Sequence, residues 1–192
     1  MADTLSKLFG STARVKLLRL FLFNPRESFS ASQGASRARI EPVEAHRELK
    51  CFVDLKLVTK NSRGRVAHYT LNPEFTYLPA LQNLLLNTYA QAGDIYERIK
   101  HVGIIKLVVV SGIFVGEWEG RIDLLIIADQ VKEEKLERYV HVLESEIGRE
   151  IKYAFFSTQE FFYRLNMNDH LVRDVLDYTH RIMFDRLDIG LK

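Results

Sequence analysis

Residues 111–129 read SGIFVGEWEGRIDLLIIAD. They follow residues 104–110, IIKLVVV, a short β-branched run bounded by turn residues, which is the pattern of a buried strand. Gly112, Gly116 and Gly120 punctuate a turn, and residues 121–128 predict a second apolar strand. One carboxylate, Asp123, stands near the start of that strand, two residues after Arg121. The fold of the C-terminal half turns on whether this stretch is a strand–turn–strand. Its function turns on whether Asp123 does chemistry or holds the turn.

Working outward, residues 131–147 predict a helix with Val131, Leu136, Tyr139, Val140, Leu143 and Ile147 inward, stopped by Gly148. Residues 150–156 read as a third strand. A helix over 158–166 follows, with Ser157 or Thr158 as N-cap, and a final long helix is expected from Asp169 to Leu187.

Toward the N-terminus, apolar residues recur at three-to-four spacing from Leu5 to Leu22, with Gly10-Ser11 as a break and Asn24-Pro25 as the end. Residues 30–39 (SASQGASRAR) form at best a weak helix with a thin alanine face and Gly34 inside it. Residues 42–56 make a clearer one: Pro42 suits the first helical position, and Ala45, Leu49, Phe52 and Leu55 form one stripe. Its other face carries Glu44, His46, Arg47 and Lys50. Residues 57–71 are two β-prone runs around Asn61-Ser62-Arg63-Gly64, a hairpin whose tip bears Lys60, Arg63 and Arg65. From Leu81 to Ile99 apolar residues again run at helical spacing, a connector or a dimerisation helix.

Composition agrees with two parts. The chain has 192 residues, 47% of them apolar, enough for one large core or two small ones. Its net charge of +2 hides an asymmetry: residues 1–80 carry 13 Lys and Arg against 7 Asp and Glu, residues 81–192 carry 14 against 18. The basic part is the one suited to an anionic polymer. A single cysteine, Cys51, excludes an internal disulfide and fits a reducing compartment. The first residues lack a basic region followed by an apolar core, and no apolar run reaches bilayer length, so the expectation is a cytoplasmic protein without membrane contact.

Helix, helix, helix and basic hairpin is the order of a winged helix-turn-helix. Residues 8–21 (LFGSTARVKLLRLF) resemble the opening helix of prokaryotic ArsR-like regulators. Arg47-Glu48-Leu49-Lys50 and Leu55-Lys56-Leu57-Val58 resemble the end of their recognition helix, and Tyr69-Thr70-Leu71-Asn72 the end of their wing. Where relatives carry bulky apolar residues in the second helix, this chain has Gly34 and Arg37. The resemblance implies that Arg47 and Lys50 meet guanine or phosphate, that Glu44 and His46 read base edges or tune preference, and that Arg63 and Arg65, with Lys60 on the same basic tip, contact the backbone or enter the minor groove, with Arg37 and Arg39 as added phosphate contacts. A row of Arg and Lys on a helix is equally a plain solvated face.

The second part, in the order strand, glycine turn, strand, helix, strand, helices, resembles the minimal nucleotidyltransferase fold of the polymerase-beta type. That family opens with Gly-Ser and sets Asp-x-Asp at the next strand, with a third carboxylate later, to hold two metals. Here the turn reads Ser111-Gly112, the Asp-x-Asp position reads Arg121-Ile122-Asp123, and residues 151–156 hold no carboxylate. The resemblance therefore implies a vestigial nucleotide site at Ser111, Gly112, Arg121 and Asp123, with no catalytic residue, metal or cofactor. Asp123 equally reads as a turn cap or a partner of Arg121, and Trp118 as a plug of the turn or a partner contact. Residues 160–165 (EFFYRL), with Asp169 after them, are similar to a segment of prokaryotic regulators that fuse the two modules.

The expectation is an α+β chain: a winged helix domain at 1–73, a helical connector at 74–103 and a degenerate nucleotidyltransferase-like domain at 104–192. The function expected is that of a non-enzymatic, homodimeric transcriptional regulator that binds double-stranded DNA, with a nucleotide or protein partner at the C-terminal domain. The alternatives are an active nucleotidyltransferase with an atypical site and a pure protein-interaction module.

Overall fold

The computed structural model describes residues 4–63, 65–89, 93–117 and 120–189. It is a mixed α+β chain with two small sheets. It divides into two compact units, residues 1–88 with 142–150, and residues 89–141 with 151–192.

In the first unit, Gly10 (φ +70°) separates α1 (Thr4–Phe9) from α2 (Thr12–Phe23), and Ser11 caps α2 by accepting the Arg14 N–H at 3.1 Å. α2 is buried on nearly every side, which makes it the central helix. β1 (Ser28–Ser30) leads into α3 (Ala31–Ala38). The weak helix forms because its start is doubly capped: Ser30 Oγ accepts the Gln33 N–H and Gln33 Oε1 accepts the Ser30 N–H, at 3.2 and 2.8 Å. α4 (Pro42–Asp54) buries Ala45, Glu48, Leu49 and Phe52, while Leu55, expected on the inward stripe, lies exposed past its end. β2 (Val58–Arg63) and β3 (Val66–Leu71) form the antiparallel hairpin, and Asn72 closes its base by donating Nδ2–H to Lys56 O at 2.8 Å. β1 lies on the other edge of β3, giving the order β1-β3-β2. This strand was not expected; three residues, Ser-Phe-Ser, are too few to show an alternation. α5 (Leu78–Tyr89) follows, with Gln82 Nε2 donating to Leu22 O at 3.0 Å.

The second unit begins with α6 (Gly93–Ile99) and β4 (Ile104–Val110), then a 3-10 turn at Gly112–Val115, β5 (Leu124–Asp129) and α7 (Glu133–Ile147). β6 (Tyr153–Phe156), α8 (Thr158–Asn166), α9 (His170–Leu176) and β7 (Arg181–Asp185) complete it. The sheet order is β6-β5-β4-β7; β5 and β6 run parallel, the other pairs antiparallel. One face of the central strands, Leu107, Val109, Leu125 and Ile127, packs with Phe156, Phe161, Val172 and Val175 into a core.

The expected long helix over 169–187 is corrected to a seven-residue helix and a strand. No Gly or Pro marks the break, so local signals let a helix run on. Residues 181–185 (RIMFD) pair instead with the free edge of β4, and Phe184 stacks on Tyr96 with ring centroids 3.9 Å apart.

The end of α7 belongs to the first unit. Asn24 Nδ2 donates to Leu20 O and Gly148 O at 2.7 and 2.6 Å, and Arg19 Nη1 donates to Glu146 O at 3.1 Å. Gly148 (φ +82°) stops the helix as expected. It also lies so close to the α2 backbone at Arg19 and Leu20 that any Cβ there would collide. Among the described residues no helix is long and apolar enough to cross a membrane.

Candidate nucleic-acid interface and the glycine turn

The outward face of α4 is set by its inward one. With Ala45, Glu48, Leu49 and Phe52 buried, the helical period turns Val43, His46, Arg47 and Lys50 to solvent, and Glu44 is half-buried. His46 Nδ1 lies 2.8 Å from Pro42 O. A carbonyl only accepts, so Nδ1 carries the hydrogen and Nε2 is the atom left to meet another molecule. Lys50 has no ion-pair partner among the described residues.

What fixes this helix is a residue that sequence reading passed over. Glu48 is only 1% exposed, yet it is a carboxylate. Its Oε2 accepts Arg14 Nε–H at 2.7 Å, and its Oε1 receives Ser11 Oγ–H and Arg47 Nη2–H, each at 3.3 Å. Arg14 also donates to Phe9 O at 3.0 Å. The Glu48 hydrogen bond pushes the Arg14 guanidinium above its ordinary range, against the opposing pull of burial. One buried charge thus ties α4 to the junction of α1 and α2. The only sequence signal was its position one residue before a buried leucine on a stripe that is otherwise apolar.

On the hairpin, Lys60 and Arg65 are exposed and have no ion-pair partner among the described residues. Arg63 ends β2, but its side chain, like Gly64 beside it, lies outside the described residues. Arg37 is less free: it pairs with Glu150 at 3.4 Å and its guanidinium lies 5.7 Å from the Phe29 ring centroid. Arg39 ends α3 in the left-handed region at φ +48°, where its N–H satisfies Ala35 O and Ser36 O.

The four residues expected at the vestigial site are brought together in part. Asp123 is 3% exposed and both its oxygens are occupied: Oδ1 accepts the Ile113 N–H at 3.0 Å and Oδ2 the Lys152 N–H at 2.9 Å. Ser111 donates Oγ–H to Ile122 O at 2.6 Å, and its N–H goes to Asp123 O at 2.9 Å. Gly112, at φ +54°, is needed there because a Cβ would strike Asp123 Oδ1. Arg121 turns away, its side chain three-quarters exposed, and pairs with Asp174 at 3.0 Å in the geometry of an ion pair rather than an aligned hydrogen bond. Of the two structural readings of Asp123, the turn cap stands and the pairing with Arg121 is corrected. Trp118 lies outside the described residues. Among those described, no group of three His, Cys, Asp or Glu comes together in a way that could hold a metal ion.

The chain matches no known family model, no curated protein and no solved structure.

Two further polar sites hold the second unit's helices. Ser157 is the N-cap of α8, accepting the Glu160 N–H at 3.1 Å, while Thr158 gives its N–H and Oγ–H to Asp129 at 2.9 and 2.8 Å. These bonds, the N–H first, hold the Asp129 carboxyl below its ordinary range. Arg164 bonds Glu160 at 2.8 Å and Asp169 at 3.1 Å and lies 4.5 Å from the Phe156 ring centroid. Asp169 in turn caps α9 through the Leu171 and Val172 N–H groups. Glu160, Arg164 and Asp169 of the 160–169 segment are therefore joined in one network between two helices.

Proposed function

We propose that the first unit is a winged helix module that binds duplex DNA and that the chain acts as a homodimeric transcriptional regulator. In this reading α4 is the recognition helix and β2–β3 the wing. The observation that carries it is the outward face of α4: His46, Arg47 and Lys50 stand on a helix anchored from below by a buried carboxylate, with Lys60 and Arg65 exposed on the hairpin that follows. A helix backbone held this way needs no ordering of its own before its side chains meet phosphates and base edges.

The second unit is, in the same proposal, a nucleotidyltransferase-like scaffold without its chemistry, kept for sensing, oligomerisation or a partner. Its support is that Asp123 already accepts two backbone N–H groups and has a guanidinium, not a carboxylate, two residues before it.

Binding of a random duplex, followed by fluorescence anisotropy, tests this. With about four phosphate contacts, affinity falls roughly 100-fold between about 50 and 200 mM salt. Lys50→Ala with Lys60→Ala lowers affinity and flattens the salt slope by about two contacts. Absence of salt-sensitive duplex binding at low ionic strength sinks the proposal.

A further inference from the structure

Val43 is 81% exposed, more than any other large apolar side chain among the described residues. It is the second residue of α4, directly after Pro42. A β-branched side chain left in water there adds nothing to the core and has a poorer helix propensity than alanine. Its spacing is informative. Val43 lies three residues before His46, four before Arg47 and seven before Lys50, so all four share one stripe of the helix. Within that stripe the long basic side chains have the reach for phosphates. Val43, short and stiff at the N-terminal end, is suited to a base edge it can touch directly.

The major groove offers an apolar partner at one place, the C5-methyl of thymine. We infer that Val43 is a specificity-determining residue that packs on a thymine methyl, so that the preferred duplex has a thymine under the N-terminal turn of α4. The inference rests on the DNA-binding reading above and deepens it by naming one base.

The test first selects a preferred duplex with the wild-type protein, then replaces its thymines with deoxyuridine one at a time, which removes only the methyl. Burial of one methyl corresponds to about 0.8 kcal/mol, or roughly four-fold in affinity. At one position or more the wild type is expected to lose that factor, while Val43→Ala loses less than about two-fold at the same position. The salt slope of Val43→Ala stays that of the wild type, because no phosphate contact is removed. The exposure of Val43 ensures that this variant keeps its fold. A wild type indifferent to every deoxyuridine, or an equal loss in both proteins, overturns the inference while leaving DNA binding intact. A protein that binds no duplex at all overturns the DNA-binding reading itself, and this inference with it.

Discussion

Each unit has a buried carboxylate at its candidate site, and the two are satisfied differently. Glu48 receives side-chain donors from Ser11 and Arg14 at the start of α2 and from its own neighbour Arg47. Asp123 receives backbone donors, the N–H groups of Ile113 and Lys152. A buried charge is tolerated only when its lone pairs are occupied, and both residues meet that condition. The consequences differ. Glu48 fixes the inner side of a helix and, of the outward side chains, engages Arg47. Asp123 uses its oxygens to hold its own turn to the strand beside it. A carboxylate that anchors an element from beneath orients a surface; one that caps its own turn holds that turn.

The comparison is most sharply tested by removing each carboxylate. Glu48→Ala leaves Arg14 and Ser11 without their shared acceptor and opens space under α4, so a loss of about 3 kcal/mol is expected in urea denaturation. Arg14→Met combined with Glu48→Leu recovers most of it. Asp123→Asn keeps the shape but sets an amide hydrogen against a backbone N–H. Its expected cost is smaller, about 2 kcal/mol, with no change in duplex affinity, whereas Glu48→Ala weakens that affinity. An Asp123→Asn protein of wild-type stability would mean that the turn does not depend on its cap.

Acid gives a weaker effect with a definite sign. Asp129 is held below its ordinary range by Thr158, so its stabilisation is present at neutral pH and is lost as pH falls through its lowered value. The stability gap between wild type and Asp129→Asn, followed by thermal melts, is therefore expected to narrow below about pH 4. The smallest change is a gain. A Cβ at Gly34 would meet Leu17 Cδ2 at 3.5 Å, an ordinary contact, so Gly34→Ala is expected to stabilise α3 by about 0.5–1 kcal/mol. A loss on that substitution would show that α3 and α2 have no room for a methyl.

Much of the fold was legible where a signal is local. The hairpin at 58–71, the β4–turn–β5 stretch, the caps at Ser11 and Ser157 and the stop at Gly148 follow from turn chemistry, capping residues and period, all set by neighbours a few places apart. The α4 face was legible too, because the buried stripe of a helix determines its exposed one. β1 and β7 were not. One is too short to show a pattern, and the other lies in a tract without a breaker and becomes a strand only because β4 has an edge to fill.

By itself the sequence determined the helices and the hairpin of the first part, the strand–turn–strand around Asp123, the basic character of the first part and the lack of paired carboxylates near Asp123. The tertiary structure alone decided which polar groups those residues meet: Arg14 with Glu48, Asp123 with Lys152, Asp129 with Thr158, Gly148 against the α2 backbone. Each joins residues about thirty or more apart in the chain. Periodicity records which side of an element faces inward, but not what waits for it there. That depends on the packing of elements whose sequences never mention one another.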